Sequence, residues 1–173
     1  DGIGAYDHLR RRAMLGKLYD TPELQTLLPF VRQFYGEPSE YLWTDDGGTT
    51  HHIPQGEGGE QGDPLMPALY ALGQHDGLEA GARQLHPDDF VVVYLDDLYV
   101  RTTRERVEAA YDAVTTAVHH HAGVKTNTGK LRAWSRARGP PPRGFTAEHW
   151  TADKADAENG VRILGTPLGA PAY

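Results

Sequence analysis

The ten residues Val91 to Val100, VVVYLDDLYV, constrain the fold more than any other stretch. β-branched and aromatic residues flank both sides, the composition of strands, and two adjacent carboxylates, Asp96 and Asp97, stand in the middle. An ionised carboxylate taken into a dry interior costs several kcal/mol even after relaxation. The pair therefore belongs at an exposed turn or around something positive. Strands over 90–94 and 98–100 joined across the acids make a hairpin with the acids at its tip. Taken alone, the pair reads first as an ordinary turn, because Asp is a common turn residue.

The flanking chain supplies helices. Tyr6, Leu9, Ala13 and Leu18 recur at helical spacing, which predicts a helix over 5–18. Thr21-Pro22 reads as an N-cap with Pro at the first helical position. The helix that follows carries Leu24, Leu27, Leu28, Val31, Phe34 and Tyr35 as its buried face, Pro29 as a kink and Gly36 as its stop. Segments 41–44 and 49–53 flank Asp46-Gly47-Gly48 and predict a second hairpin. A glycine-rich loop over 56–62 leads to a helix from about Pro64 with Leu65, Ala68, Leu69 and Leu72 inward. Another helix runs over 103–121 and closes at Gly123. Residues 139–143 are a Pro-rich loop, and 161–164 a last strand. Helices and strands alternate without a regular period, which predicts an α+β fold with helices packed on one face of an antiparallel sheet.

At 173 residues one domain is expected. The net charge of −7 speaks against a wholly basic surface, yet its distribution is uneven. Residues 33–82 hold no Lys or Arg, whereas 113–147 carry Lys125, Lys130, Arg132, Arg136, Arg138 and Arg143 and no acid. Such asymmetry permits a polyanion groove on an acidic protein. With zero Cys there is no disulfide or thiolate metal site. No apolar run reaches the roughly 20 residues of a membrane span, and no signal peptide is legible. An intracellular protein, nuclear or cytoplasmic, not secreted and without a membrane partner, is the expectation. The chain opens Asp-Gly-Ile-Gly without Met, so it reads as a piece of something longer.

Two further stretches bear on the acids. Asp1 stands just ahead of the first helix, and a strand there beside the hairpin would gather Asp1, Asp96 and Asp97. Three carboxylates so gathered repel unless a divalent cation is present, and Mg²⁺ suits a few carboxylates with its other positions left to water and phosphate. Gln61-Gly62-Asp63-Pro64-Leu65-Met66-Pro67 is a loop-to-helix junction. It is no P-loop, because GxxxxGK[ST] is absent.

Asp1-x-x-x-Ala5-Tyr6, then Gln61-Gly62-Asp63-Pro64-Leu65, then Tyr94-Leu95-Asp96-Asp97, in that order, resemble motifs A, B and C of the reverse-transcriptase palm. Residues 123–130, ending in Lys130, resemble motif D, and Ile163-Leu164-Gly165 resembles motif E. The form QGDPLMP is most similar to non-LTR retrotransposon and group II intron enzymes. The resemblance implies a palm fold with a ferredoxin-like or RRM-like core spanning 1–173, with fingers and thumb largely absent. It implies an RNA-directed DNA polymerase, a nucleotidyltransferase that uses two Mg²⁺ or Mn²⁺ ions to join deoxynucleotides to a primer 3′-hydroxyl on an RNA or DNA template. Asp1, Asp96 and Asp97 are then catalytic metal ligands, and Lys130 approaches the leaving pyrophosphate. Tyr6 guards the sugar 2′ position, while Gln61 and Gly62 line the incoming nucleotide, with Gln55-Gly56 as a rival alignment. Implied partners are a nucleic-acid primer–template, deoxynucleoside triphosphates, and the fingers and thumb of a parent polypeptide. The competing reading is a catalytically silent, palm-like nucleic-acid-binding remnant. A two-metal nuclease would need acids alternating with a general base, a set not seen around Asp96.

Other polar clusters point elsewhere. His119, His120 and His121 diverge by about 100° per residue on a helix and lack HExxH spacing, so they read as a helix C-terminus favoured by the dipole. His51 and His52 point to opposite faces of a strand. Trp43, Trp134 and Trp150 are core or surface aromatics, with Trp134 inside the basic stretch. Asp45-Asp46-Gly47 lacks the alternating acids of a calcium loop.

Overall fold

A stripe of glycines sets how the helices pack in the computed structural model, which describes residue 2 and residues 4–173. Helix α4, Met66–Ala82, carries Gly73, Gly77 and Gly81 one turn apart. Each costs about 1 kcal/mol against Ala in a helix interior, so the stripe needs a packing reason. A Cβ on Gly77 would lie 2.9 Å from Val118 Cα, and one on Gly81 would lie 2.8 Å from Val114 Cα. Helix α5, Val107–Ala122, therefore rests its backbone directly on α4. Helix α2, Arg11–Asp20, packs against α4 as well. The core forms among these helices from Leu9, Met14, Leu18, Met66, Leu69, Tyr70, Val114 and Val118. Each of the larger side chains contributes roughly 1.5–3 kcal/mol of burial.

The helix expected over 5–18 is two helices, α1 at Ala5–His8 and then α2. Leu9 between them is extended, with φ −61° and ψ 126°. Two tertiary hydrogen bonds hold the break open: Gly58 N donates to Leu9 O at 2.8 Å, and Arg10 N donates to Ala122 O at 2.8 Å. The next expected helix begins as a 3₁₀ stretch, Pro22–Leu27, and continues as α3, Leu28–Tyr35, with Pro29 in its first turn. Thr21 does not cap; its hydroxyl donates to Lys17 O at 2.7 Å. Only part of the anticipated apolar face is covered. Val31 and Tyr35 are buried, whereas Leu27 and Phe34 are exposed.

Among the described residues six strands pair antiparallel: β1 Ser39–Thr44 with β2 Thr50–Gln55, β3 Phe90–Tyr94 with β4 Asp97–Arg101, and β5 Gly160–Ile163 with β6 Thr166–Gly169. The α+β class is as the sequence indicates. Among the described residues the strands form three separate two-stranded sheets where a single sheet was expected. Strand β6 has no alternating pattern and contains Pro167, which hid it in the sequence. A compact chain of this size exposes roughly 8,400 Å², whereas this one exposes 10856 Å². The difference reflects open surfaces, among them a long groove beside β3 and β4. No helix among the described residues is long and apolar enough to cross a membrane.

Candidate active site

The groove is built on the β3–β4 hairpin. Its register pairs Tyr94 with Asp97, leaving Leu95 and Asp96 as a two-residue turn. Val91, Leu98 and Val100 pack against the core, while Phe90, Val92 and Tyr94 on the opposite face are exposed. Alternation thus fixes the hairpin on the helices and projects its tip outward. Arg106 anchors the entry to β3, donating from Nε and Nη2 to Asp89 at 3.0 and 2.7 Å. Tyr99 ties the hairpin to its neighbour by accepting a hydrogen bond from Leu164 N at 3.0 Å, at the turn between β5 and β6. The far wall is the segment after α5 together with β5. Its hub is buried Asn159, which accepts from Trp134 Nε1 at 2.7 Å and donates to Ala152 O at 2.7 Å.

The space enclosed is about 1150 Å³. Asp96 and Asp97 both line it. Neither side chain makes a hydrogen bond or ion pair with a described residue. Arg101, Arg104, Lys130, Arg132, Lys154 and Arg162 line the same groove, with Glu158 as the further acid. A cation-rich channel on a protein of net charge −7 is suited to a polyanion. Aromatic faces, including Tyr99 and Trp134, are interleaved with the cations. Two of the basic residues singled out in the sequence are otherwise engaged. Arg138 pairs with Asp156, and Arg143 Nε with Glu108 at 3.2 Å.

Asp1 lies outside the described residues. Its neighbour Gly2 lines the same groove as the paired acids and forms an antiparallel bridge with Thr126. Tyr6 is half-buried on α1 and packs on Tyr70, with ring centroids 5.0 Å apart at 52°. Burial, and then the charge of Asp96, raise the pKa of the Tyr6 hydroxyl, and the same two causes raise that of Tyr70. Tyr6, Tyr70 and Asp96 thus form one electrostatic neighbourhood. Lys130 is exposed and ends a 3₁₀ turn, Thr128–Lys130, whose Asn127 side chain accepts from Gly129 N at 3.1 Å. Gln61 and Gly62 are not among the groove-lining residues; they sit on an exposed loop. That loop is pinned by Asp63, which accepts from the Tyr35 hydroxyl at one oxygen and from Leu65 N at 2.8 Å at the other. Burial and the Asp63 bond push the Tyr35 pKa up to about 12.

Arg11 carries no local mark of its role, standing between Arg10 and Arg12. It is buried in the core region, donating to Gly58 O at 2.9 Å, Glu37 O at 2.7 Å and Ser39 Oγ at 3.1 Å. It locks the glycine-rich loop and the root of β1 onto the start of α2. A Cβ on Gly58, whose φ is 73°, would lie 2.3 Å from Asp7 O, so only glycine passes there. The loop in turn donates from Gly59 N to Tyr6 O at 3.0 Å. His75, Asp76 and Glu79 converge closely enough to hold an ion, yet all three are exposed and Lys17 Nζ already occupies an Asp76 oxygen at 2.6 Å.

The chain is similar to a retroelement protein. The Retrotransposable element SLACS 132 kDa protein of Trypanosoma brucei gambiense is 28% identical over 130 residues, which is 75% of this chain and 11% of that protein. The likeness is distant, and the chain spans about a ninth of that relative's length. No family model matches the chain, and no solved structure gives a significant match.

Proposed function

We propose that this chain is the palm of a retroelement RNA-directed DNA polymerase that joins deoxynucleotides to a primer 3′-hydroxyl. One observation carries the reading: two adjacent carboxylates, bonded to no described residue, line a groove rich in cations. The order of the three sequence motifs and the similarity to a retrotransposable element protein support it.

Asp96 and Asp97 offer hard oxygen donors with no cationic partner among the described residues, which is the donor set Mg²⁺ or Mn²⁺ prefers. Asp1 completes the set by sequence motif. When bound, the ions supply charge that acidifies the primer hydroxyl and stabilises the triphosphate. The chain's own work is positioning. Arg101, Arg132 and Arg162 place charge for backbone phosphates, and aromatic rings offer faces for bases. Lys130 lies in the same groove, where an ammonium serves the departing pyrophosphate. Tyr6, within the field of Asp96, bounds the sugar, and Gln61 and Gly62, which lie outside the groove lining, are assigned to the nucleotide by sequence motif.

The test is primer extension by the intact natural polypeptide. Asp96→Asn is expected to reduce extension more than about 100-fold, the upper end of what loss of a group merely supporting a ligand costs. Extension that survives Asp96→Asn contradicts the reading. Primer–template binding without extension in the unaltered protein identifies the silent nucleic-acid-binding palm instead, which the cation-rich groove equally favours.

A further inference from the structure

The turn that carries the acids is strained. Leu95 has φ 54°, a left-handed conformation in which an L side chain crowds the following carbonyl and which two-residue hairpin turns ordinarily give to glycine. The acid side chains do nothing to hold it, since neither bonds to a described residue. The hold comes from below. Gln74 on α4 is 4% exposed, and its Nε2 donates to Leu95 O at 2.7 Å. A buried amide is costly without a partner, so side chain and turn satisfy each other. Tyr70, one helical turn earlier on α4, lies within the field of Asp96, and both Tyr70 and Gln74 line the groove. Helix α4 is itself fixed, because Gly77 and Gly81 leave no slack against α5.

We infer that Gln74 is a positioning residue that clamps the Leu95–Asp96 turn and so fixes where Asp96 and Asp97 present their carboxylates. The inference rests on the polymerase reading for its catalytic consequence. Strained backbone persists where surrounding structure over-determines it, and here a single amide on a rigid helix does so. A residue supporting a metal ligand affects metal dependence and turnover more than substrate affinity.

The experiment uses Gln74→Met, which keeps length and suits the buried site, in the intact natural polypeptide. Primer-extension kcat is expected to fall about 10–100-fold, and the Mg²⁺ concentration for half-maximal activity to rise by a comparable factor. The KM for nucleotide is expected to change less than about threefold. In metal-free protein, amide hydrogen exchange over residues 94–98 is expected to accelerate more than about tenfold while α4 keeps its protection. Adding Leu95→Gly, which adopts the turn without strain, is expected to recover part of the lost Mg²⁺ response, an effect absent if Gln74 only fills space. Gln74→Asn, whose amide falls short of the carbonyl, gives the same pattern should the Met variant fold poorly. Unchanged turn exchange and an unchanged Mg²⁺ midpoint overturn the Gln74 assignment alone, and so does a lowered Tm with exchange raised throughout α4. Full extension by Asp96→Asn overturns the polymerase reading beneath it.

Discussion

The molecule contains two hairpins with paired acids at or beside their turns, and they treat those acids in opposite ways. At the β1–β2 turn, Asp45 Oδ1 accepts from Gly47 N at 2.9 Å and Thr49 N at 3.0 Å, and Asp45 Oδ2 meets His51 Nε2 at 2.8 Å. The carboxylate builds its own turn. At the β3–β4 turn, the Asp96 and Asp97 carboxylates bond to no described residue, and Gln74 holds the backbone from a neighbouring helix. The surroundings differ to match. Strands β1 and β2 expose Tyr41, Leu42, Trp43 and Ile53 and are held by polar ties, Arg11 at Ser39 and the Tyr41 hydroxyl on Glu60, whereas β3 and β4 lie with one face on the core. An acid pair in a hairpin is therefore structural where turn amides occupy its oxygens, and available for chemistry where another element takes over the turn.

The largest expected break in this comparison is in activity. Asp45→Asn should leave primer extension within about twofold, while Asp96→Asn removes it, because only the second carboxylate faces the groove; equal losses would erase the distinction. Next comes Arg11→Met. Leaving Glu37 O, Ser39 Oγ and Gly58 O without their shared donor should cost about 2–4 kcal/mol in urea unfolding. Hydrogen exchange should rise in β1 and β2 and stay unchanged in β3 and β4. Gly77→Val then probes the helix floor under the other hairpin. The added side chain meets Val118 Cα and Ala117 O, and about 1–3 kcal/mol should be lost, with exchange rising at residues 94–98 ahead of the β1–β2 turn.

The smallest effect is in acid. The His51 contact first, then the Thr49 amide, lower the Asp45 pKa below its ordinary 3.8. A depressed folded pKa stabilises above the unfolded value, and that contribution is lost as pH falls from about 3.8 through the lowered folded value. Thermal melts of Asp45→Asn should converge with those of the parent below that window and separate above it. A constant offset across the window would remove the assigned role.

The hairpin tip was legible because its signal is local: β-branched runs on both sides of two acids need only the period of a strand. The order of the motifs was legible for the same reason. What the sequence hid depends on contacts far along the chain. Gln74 sits in a helix with no local mark of burial, and Arg11 reads as one of three consecutive surface arginines until its partners at Glu37, Ser39 and Gly58 are in place. The break at Leu9 answers to Gly58 and Ala122, which no 3.6-residue pattern can report. Phe34 shared the apolar stripe of α3 and still faces outward, because periodicity fixes a face without saying how much of it is covered. Gln61 and Gly62 were recognisable as a motif, yet the Tyr35–Asp63 bond that places their loop was invisible in the sequence.

The central claim is that the β3–β4 acids are open to a cation, whereas the Asp45 carboxylate at the β1–β2 turn is already occupied. Mn²⁺ titration followed by paramagnetic broadening of backbone amides tests it directly. The account predicts selective broadening at Asp96, Asp97 and Gly2 at substoichiometric ion, with the amides of Asp45 to Gly48 unaffected. Broadening centred on Asp45 and Asp46, or none at Asp96 and Asp97, would contradict it.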